Sequence, residues 1–348
     1  MILSDIEKAE YGRYTAKYDF SRYFCGKTVL VTGSKGIVGS GIIRWLLFEN
    51  SKHNTGTKII ASSRNPESIP DYIEEGDNVS FCRFGEEGSI REHVDYIIHT
   101  AAPTSNKVFR EQPVESLRSI VDGTETILAF AKKQGDCSVI YLSSEEAYGT
   151  PNASEPVSEA YVGAIDSLNI RSCYPLGKKV AELLCRSYFE EYNVDVKIIR
   201  PTVILGLYQP YDSVKVEAEI LRCVLENKNL YMRSNGMTKK CVIYTMDALS
   251  AVLTVLVKGV AGEAYNATNP ETYDTVKDRA YKAFQMFNPS LSIDFAEQDT
   301  SQTLGYLPQR ALQEDVSKIM ELGWEPLATM EDIYRIDINR FRDRKEFL

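Results

Sequence analysis

The stretch TVLVTGSKGIVGSGI, residues 28–42, runs from an apolar, β-branched segment through three glycines into a second apolar segment. Gly33, Gly36 and Gly39 stand in GxxGxxG spacing between an expected strand (Thr28–Thr32) and an expected helix (Val38–Phe48). Glycine lets the chain turn tightly and lets a ligand approach the backbone closely. A helix starting at such a turn aims free N–H groups and the positive end of its dipole at an anion. Strand, glycine turn and helix in this order form the context in which a glycine triplet holds the pyrophosphate of a dinucleotide. Gly33, Ser34, Lys35, Gly36, Ile37, Val38 and Gly39 are therefore candidate cofactor contacts. A plain turn is the competing explanation.

The pattern continues outward from this loop. Further strands are expected at Lys58–Ala61, Val79–Arg83, Tyr96–Thr100, Ser138–Ser143 and Val196–Arg200, with helices at Val114–Lys133 and Tyr174–Tyr192. Strands alternating with helices specify an α/β fold with a doubly wound parallel sheet. After about residue 205 the pattern loosens into Gly, Asn and Pro turns, with a helix near Val216–Glu226 and a segment Asp274–Phe287 assigned to a smaller lobe. The expected division is an N-terminal extension (1–26), a dinucleotide-binding domain (27–203) and a mainly substrate-binding lobe (204–348) with some segments returning to the first domain. The extension is rich in tyrosine (Tyr11, Tyr14, Tyr18, Tyr23), and the sequence assigns it no role.

Composition narrows the classes. The chain has 348 residues, 43% hydrophobic and 26% charged, within the range of globular proteins. A net charge of −9 suggests neither a nucleic-acid nor an anionic-membrane partner. Seven scattered cysteines with no CxxC pair read as reduced cytoplasmic thiols rather than a disulfide frame or zinc site. With three histidines (His53, His93, His99), no metal site is expected. The N-terminus has charges throughout and no apolar core, unlike a signal peptide. No apolar run reaches the ~18 residues of a membrane span.

The end of the second strand bears on the cofactor. An acid there usually binds the ribose 2′-hydroxyl of NAD. Here Ser62 and Ser63 occupy the place and Arg64 follows. Hydroxyls with a guanidinium suit a 2′-phosphate, which tilts the choice toward NADP over NAD.

CYPLGKKVAE, residues 173–182, places Tyr174 and Lys178 four apart, on one face of a helix. A phenol with a pKa near 10 is a poor base at neutral pH, and a neighbouring ammonium lowers it. Upstream, YLSSEEAYG (141–149) ends a strand in Ser143 and Ser144, then Glu145 and Glu146. Serine, tyrosine and lysine make a proton-transfer unit for oxidising an alcohol to a ketone.

With TGSKGIVG (32–39), HTAA (99–102), LSSEEAYG (142–149), YPLGK (174–178) and DVSKIMELGWEP (315–326), the chain resembles the extended short-chain dehydrogenase/reductases, the NAD(P)-dependent nucleotide-sugar epimerases, dehydratases and decarboxylases. The stretch 159–182 resembles the UDP-glucuronate decarboxylase branch in particular. The resemblance implies a Rossmann domain with a smaller mixed α/β C-terminal lobe, a nucleotide-sugar in the cleft, and a homodimer through helices near 114–133 and 175–191. It makes Tyr174 the base, gives Lys178 the nicotinamide ribose and Ser144 a sugar hydroxyl, and lines the cofactor with Thr100, Ala101, Ala102 and Arg200. Lys215, Lys240, Arg310 and Glu145 join Ser144 as candidate substrate contacts. For His99 a packed strand-end role competes with any catalytic one. Two positions depart from the family: Val203 where asparagine is frequent, and Lys240 where arginine is.

The two glutamates bear on the reaction. In this family the sugar is oxidised at C4, which acidifies the C5 proton. An epimerase then needs no further acid, a 4,6-dehydratase needs a base for C5 and an acid for the C6 hydroxyl, and a decarboxylase starts from a C6 carboxylate. Adjacent carboxylates resist ionising together, so one can serve as acid. The first expectation is 4,6-dehydratase-type chemistry, with decarboxylase and 4-epimerase as alternatives. An NADPH-consuming ketone reductase and a catalytically silent nucleotide binder are the rivals of another class. The bland alternative for Glu145 is an extended segment that turns it to solvent while Glu146 enters the site.

Overall fold

The computed structural model of the chain describes residues 1–74, 76–151, 155–297 and 309–342; parts of the assigned lobe, 298–308 and 343–348, lie outside them. The strands are β1 (Thr28–Thr32), β2 (Lys58–Ser63), β3 (Val79–Arg83), β4 (Tyr96–His99), β5 (Ser138–Leu142), β6 (Asp195–Pro201), β7 (Val203–Leu205), β8 (Leu230–Met232), β9 (Lys239–Tyr244), β10 (Ala264–Ala267), β11 (Asn269–Thr275), β12 (Ile293–Phe295) and β13 (Ala311–Leu312). The helices are α1 (Asp5–Lys17), α2 (Ser21–Phe24), α3 (Ile37–His53), α4 (Asn106–Glu111), α5 (Pro113–Gln134), α6 (Cys173–Tyr192), α7 (Val216–Glu226), α8 (Thr245–Lys258), α9 (Val276–Phe287), α10 (Ser317–Met320) and α11 (Met330–Arg342).

Seven strands form one parallel sheet in the order β10-β6-β5-β4-β1-β2-β3. All five residues of β1 are buried, because both faces of the sheet are covered. Val29 and Val31 face the core shared by α3 and α8, whereas Leu30 faces the core shared by α5 and α6. The chain leaves β1 over the first face and β4 over the second. Their C-terminal ends therefore diverge, opening a crevice at the point where the strand order reverses. This is a Rossmann-type α/β fold.

The smaller lobe holds β7, β9, β11 and β13 in one sheet, the β8–β12 pair, and α7, α9 and α11 around a separate apolar cluster. Between these elements the chain returns to the large domain. Helix α8 covers the sheet, and β10 adds its edge strand beside β6. The sequence showed no such strand, since AYNA carries little β-branched signal.

The tyrosine-rich extension straps the molecule. Ser4 and Glu7 form a capping box that starts α1. Tyr11 stacks on Phe48 and donates to the Gly41 carbonyl at 3.0 Å. Tyr18 donates to the Glu325 carbonyl at 2.5 Å. Tyr14 donates to Asp247 Oδ1 at 2.7 Å, and the same carboxylate accepts Leu327 N–H at 2.7 Å and Ala328 N–H at 3.2 Å. One buried acid thus ties α1, α8 and the C-terminal turn together. Burial raises its pKa from 3.8 to about 6, against the pull of Tyr14 and the two N–H groups.

The native state therefore holds this proton more tightly than the unfolded chain, and stability falls as pH rises through about 6. Tyr14→Phe removes one donor to the ionised form. It should cost about 1–3 kcal/mol at pH 8 and clearly less at pH 4, measured by urea denaturation. An equal loss at both pH values would contradict this account.

Candidate active site

Three glycines shape the cradle at the crevice. Gly33 has φ +66°, and a Cβ there would lie 2.8 Å from Thr100 Oγ1 and 2.9 Å from Ala101 N. The β1 turn thus passes against the end of β4, where Thr100 Oγ1 also donates to the Thr32 carbonyl at 2.6 Å. A Cβ on Gly39 would run into the Gly33 carbonyl. Gly36 caps α3 with no side-chain hydrogen bond, so the first-turn N–H groups stay open to a ligand. A bare backbone cradle at a helix start, over the switch point of a parallel sheet, fits a dinucleotide pyrophosphate. Gly33 through Gly39 would hold it, with Thr100, Ala101 and Ala102 forming the opposite wall. Ser34 is buried, while exposed Lys35 reaches the Asn65 carbonyl at 2.7 Å.

At the end of β2 the expected group splits. Ser62 is fully buried and donates to Glu87 Oε1 at 2.7 Å, which removes it from contact with a 2′-phosphate. Ser63 Oγ has no partner among the described residues, and Arg64 is exposed. Burial pushes the His99 pKa down to about 3, and its ring packs between Thr32 Oγ1 (2.7 Å) and Thr124 Oγ1 (3.3 Å). It is a neutral core histidine at the strand end.

The end of β5 carries the acids. Residues Glu145–Tyr148 form a 3₁₀ turn, with Ser144 Oγ accepting Glu146 N–H at 3.2 Å. Successive side chains in such a turn lie about a third of a turn apart, rather than on opposite sides of a strand. Glu145 accordingly does not turn to water: it is 5% exposed and pairs with Arg310 at 3.3 Å. Glu146 Oε1 accepts Arg171 Nη2 at 2.8 Å. Arg171 escaped the sequence reading, although it stands only three residues before Tyr174.

Tyr174, Lys178 and Glu182 make a buried stripe along α6 at four-residue spacing. Tyr174 stacks on Phe109 at 4.7 Å. Burial and then the Glu146 charge raise its pKa well above the ordinary phenol value, while Ser144 and Arg171 pull it down. This departs from the expected lowering by Lys178, whose ammonium is spent on the Leu142 carbonyl at 2.6 Å. Burial lowers the Lys178 pKa to about 7, with Glu182 opposing. Glu182 also accepts Ser143 Oγ at 2.5 Å and Arg200 Nη2 at 2.7 Å. Arg200 Nη1 donates to Tyr148 Oη and the Glu159 carbonyl, both at 3.0 Å. Arg200 is therefore a brace between elements, and the structure gives it protein partners where a cofactor contact was expected.

The remaining expected contacts come from the lobe. Lys240 pairs with buried Glu217 at 3.1 Å, and Arg279 reaches the same oxygen at 3.3 Å. These two cations hold the Glu217 pKa down to about 2 against its burial. Lys215 lies near Lys240 and Glu145, and burial lowers its pKa. It donates to the Ile204 carbonyl at 3.5 Å and makes no ion pair within 4 Å among the described residues, so it is the cation of this group least committed to the protein.

Fold and site together define a dinucleotide-binding enzyme with a tyrosine–lysine pair and an acid pair at one strand end. A family model, the NAD dependent epimerase/dehydratase family, matches residues 29–268, and the chain belongs to that family. Among curated relatives, UDP-glucuronic acid decarboxylase 3 of Arabidopsis thaliana is 27% identical over 319 residues, covering 89% of this chain and 90% of the relative. Among solved structures, dTDP-glucose 4,6-dehydratase from Bacillus anthracis in complex with NAD has a TM-score of 0.74 at 23% identity, covering 92% of this chain and 98% of that one. UDP-glucose 4-epimerase from Thermotoga maritima with UDP-glucose has a TM-score of 0.76 at 21% identity, covering 92% and 100%.

Gly39→Ala should force the cradle open, since its Cβ meets a backbone oxygen that cannot swing aside. The expected result is at least about 10-fold weaker dinucleotide binding (about 1.4 kcal/mol) by fluorescence titration, with a lower melting temperature but a still cooperative transition. Undiminished affinity would show that the cradle does not hold the cofactor.

Proposed function

We propose that the protein modifies a nucleotide-sugar by transient oxidation at sugar C4, with 4,6-dehydratase-type chemistry as the leading reading. The observation that carries this is the 3₁₀ turn that buries Glu145 and leaves Glu146 half-buried against Arg171, beside Ser144 and Tyr174. The bound dinucleotide supplies reversible hydride acceptance. Ser144 orients the C4 hydroxyl, and Tyr174 would take its proton as the phenolate, a form that a cationic cofactor ring bound beside it would favour against the burial that raises its pKa. Glu146, close enough for its charge to act on Tyr174, takes the C5 proton. Glu145 gives a proton to the departing C6 hydroxyl. Lys215 and Lys240 supply positive charge for the diphosphate.

A second reading, decarboxylation of a nucleotide-linked uronate, is supported by the relatives' sequences and by Arg310, a cation beside Glu145. Against it stands the cost of bringing a third carboxylate into a corner that already holds buried acids. Ser63 and exposed Arg64 support NADP, whereas the Bacillus anthracis dehydratase structure is a complex with NAD. All seven cysteines are free, which supports a reducing compartment such as the cytoplasm. For assembly we infer a homodimer. Val114 and Leu117 on α5, with Val180 and Leu183 on α6, leave apolar side chains 38–65% exposed on two helices that pack together.

Mass spectrometry of products from a nucleotide-sugar panel tests the reaction. Loss of about 18 Da supports dehydration, about 44 Da decarboxylation, and no change epimerisation. Turnover without added reductant is expected, and stoichiometric NADPH consumption would instead mark a ketone reductase. Tyr174→Phe should lower kcat by about 10²–10⁴-fold. Glu145→Gln and Glu146→Gln should each cripple dehydration, and full activity in either would remove that reading. Leu183→Glu should convert the dimer to a monomer in light scattering, and an unchanged mass would refute this interface.

A further inference from the structure

Glu314 stands outside every motif discussed so far, yet it is among the most deeply buried acids near the site. It is 1% exposed, and neither carboxylate oxygen has a hydrogen-bond partner among the described residues. It belongs to an extended segment that crosses from the lobe to the end of β5. Ala311 and Leu312 pair with Lys239 and Lys240 of β9, and Glu314 bridges to Val157. Arg310 and Glu314 are four residues apart on this extended chain, an even spacing that puts both side chains on the same face. Arg310 Nη1 donates to the Gly149 carbonyl at 3.1 Å, and its Nη2 faces Glu145 at 3.3 Å. Glu145 Oε2 also lacks a partner among the described residues. Glu145 thus pairs with this guanidinium, and buried Glu314 lies close enough for both Glu145 and Arg310 to act on it.

Arg310 pairs with Glu145 and leaves Glu314 without an ion pair among the described residues, and an unpaired carboxylate at this depth is costly to ionise. The groups that face Glu314 are Glu145 from the 3₁₀ turn, Arg310 from its own segment, the Cys241 thiol from β9 and Tyr273 from β11. Lys215 acts on Glu145 from the far side. Burial and the neighbouring Glu145 push the Glu314 pKa well above the carboxylate range, and Arg310 opposes them.

We propose that Glu314 is a positioning residue that shares a single proton with Glu145 across Arg310, keeping Glu145 able to act as an acid at neutral pH. This deepens the dehydratase reading and rests on it for the use of the proton. With Glu314 alongside, the proton can sit on Glu145 while Glu314 takes the counter-charge of Arg310. In the elimination step the C6–O bond breaks with its electron pair going to oxygen. The pair's proton joins that oxygen and leaves with it as water. The C5 proton goes to Glu146 and later returns to carbon. Tyr174 ends with one extra proton and the pair with one too few, and exchange with solvent restores both.

Infrared difference spectroscopy on the full chain at pH 8 tests the shared proton without substrate. The wild type should show one protonated-carboxyl C=O band that both Glu314→Gln and Glu145→Gln remove, because the surviving carboxylate then has Arg310 to itself and ionises. A band that survives Glu145→Gln, or no such band in the wild type, overturns the proposal whatever reaction the enzyme runs. For function, Glu314→Gln keeps the shape of the protonated acid. It should lower kcat for dehydration by about 10-fold or more at pH 8 and regain activity as pH falls. A pH profile parallel to wild type would overturn the positioning role. If no nucleotide-sugar loses water, the dehydratase reading falls, and the infrared result still decides where the proton lies.

Discussion

The site depends on one topological constraint: β1 and β4 are neighbours whose following helices must cover opposite faces of the sheet. Helices on one face alone would leave the other face's Leu30, Ile97 and Val139 in water. Two-sided covering forces the loops after β1 and β4 apart, and the gap is where backbone N–H groups converge. Gly33 is what lets the two loops pass in contact before they separate, since any side chain there would strike Thr100 and Ala101. The cradle is thus a by-product of burying both faces, refined by three missing side chains.

Around this crevice the buried charges are arranged in compensated groups. Glu182 balances Arg200 and approaches Lys178, Arg171 balances Glu146, and Glu217 balances Lys240 and Arg279. One exception among the described residues is the corner where Glu314 lies near the Glu145–Arg310 pair. An isolated buried charge is costly enough that the chain would shed it unless a proton filled the deficit. Chemistry that needs an acid at neutral pH is best placed at such an uncompensated corner.

The extension has a different task. Helices α3 and α8 cover the sheet but expose Trp45 and Asp247 unless something lies over them. Tyr14 covers both, packing edge-on to Trp45 and donating to Asp247. The C-terminal turn at Glu325–Ala328 completes the same knot through Tyr18 and two backbone N–H groups. The two ends of the described chain are joined through one acid on α8.

Much of this was legible in the residues themselves. Strand β1, helix α7, the glycine cradle and the Tyr174–Lys178 stripe follow from local periodicity and spacing, which depend only on near neighbours. Edge strand β10 and the strap α1 were not, because each is stabilised by partners far away in sequence rather than by its own pattern. The same distinction runs through the site. Sequence placed Ser144, Glu145 and Glu146 side by side but could not choose between an extended segment and a tight turn, which point the acids differently. It listed Ser62 and Arg200 as cofactor contacts because nothing local reveals Glu87 or Glu182 waiting across the fold. Arg310 and Glu314 lie over 160 residues from Glu145 along the chain, and only the crossing of the C-terminal segment brings their charges within reach. The sequence by itself determined the central strands, the glycine turn and the Tyr174–Lys178 spacing, since backbone geometry and helical spacing are local. Tertiary structure alone decided which acids and cations lie together, since charge interactions in a buried corner act through space.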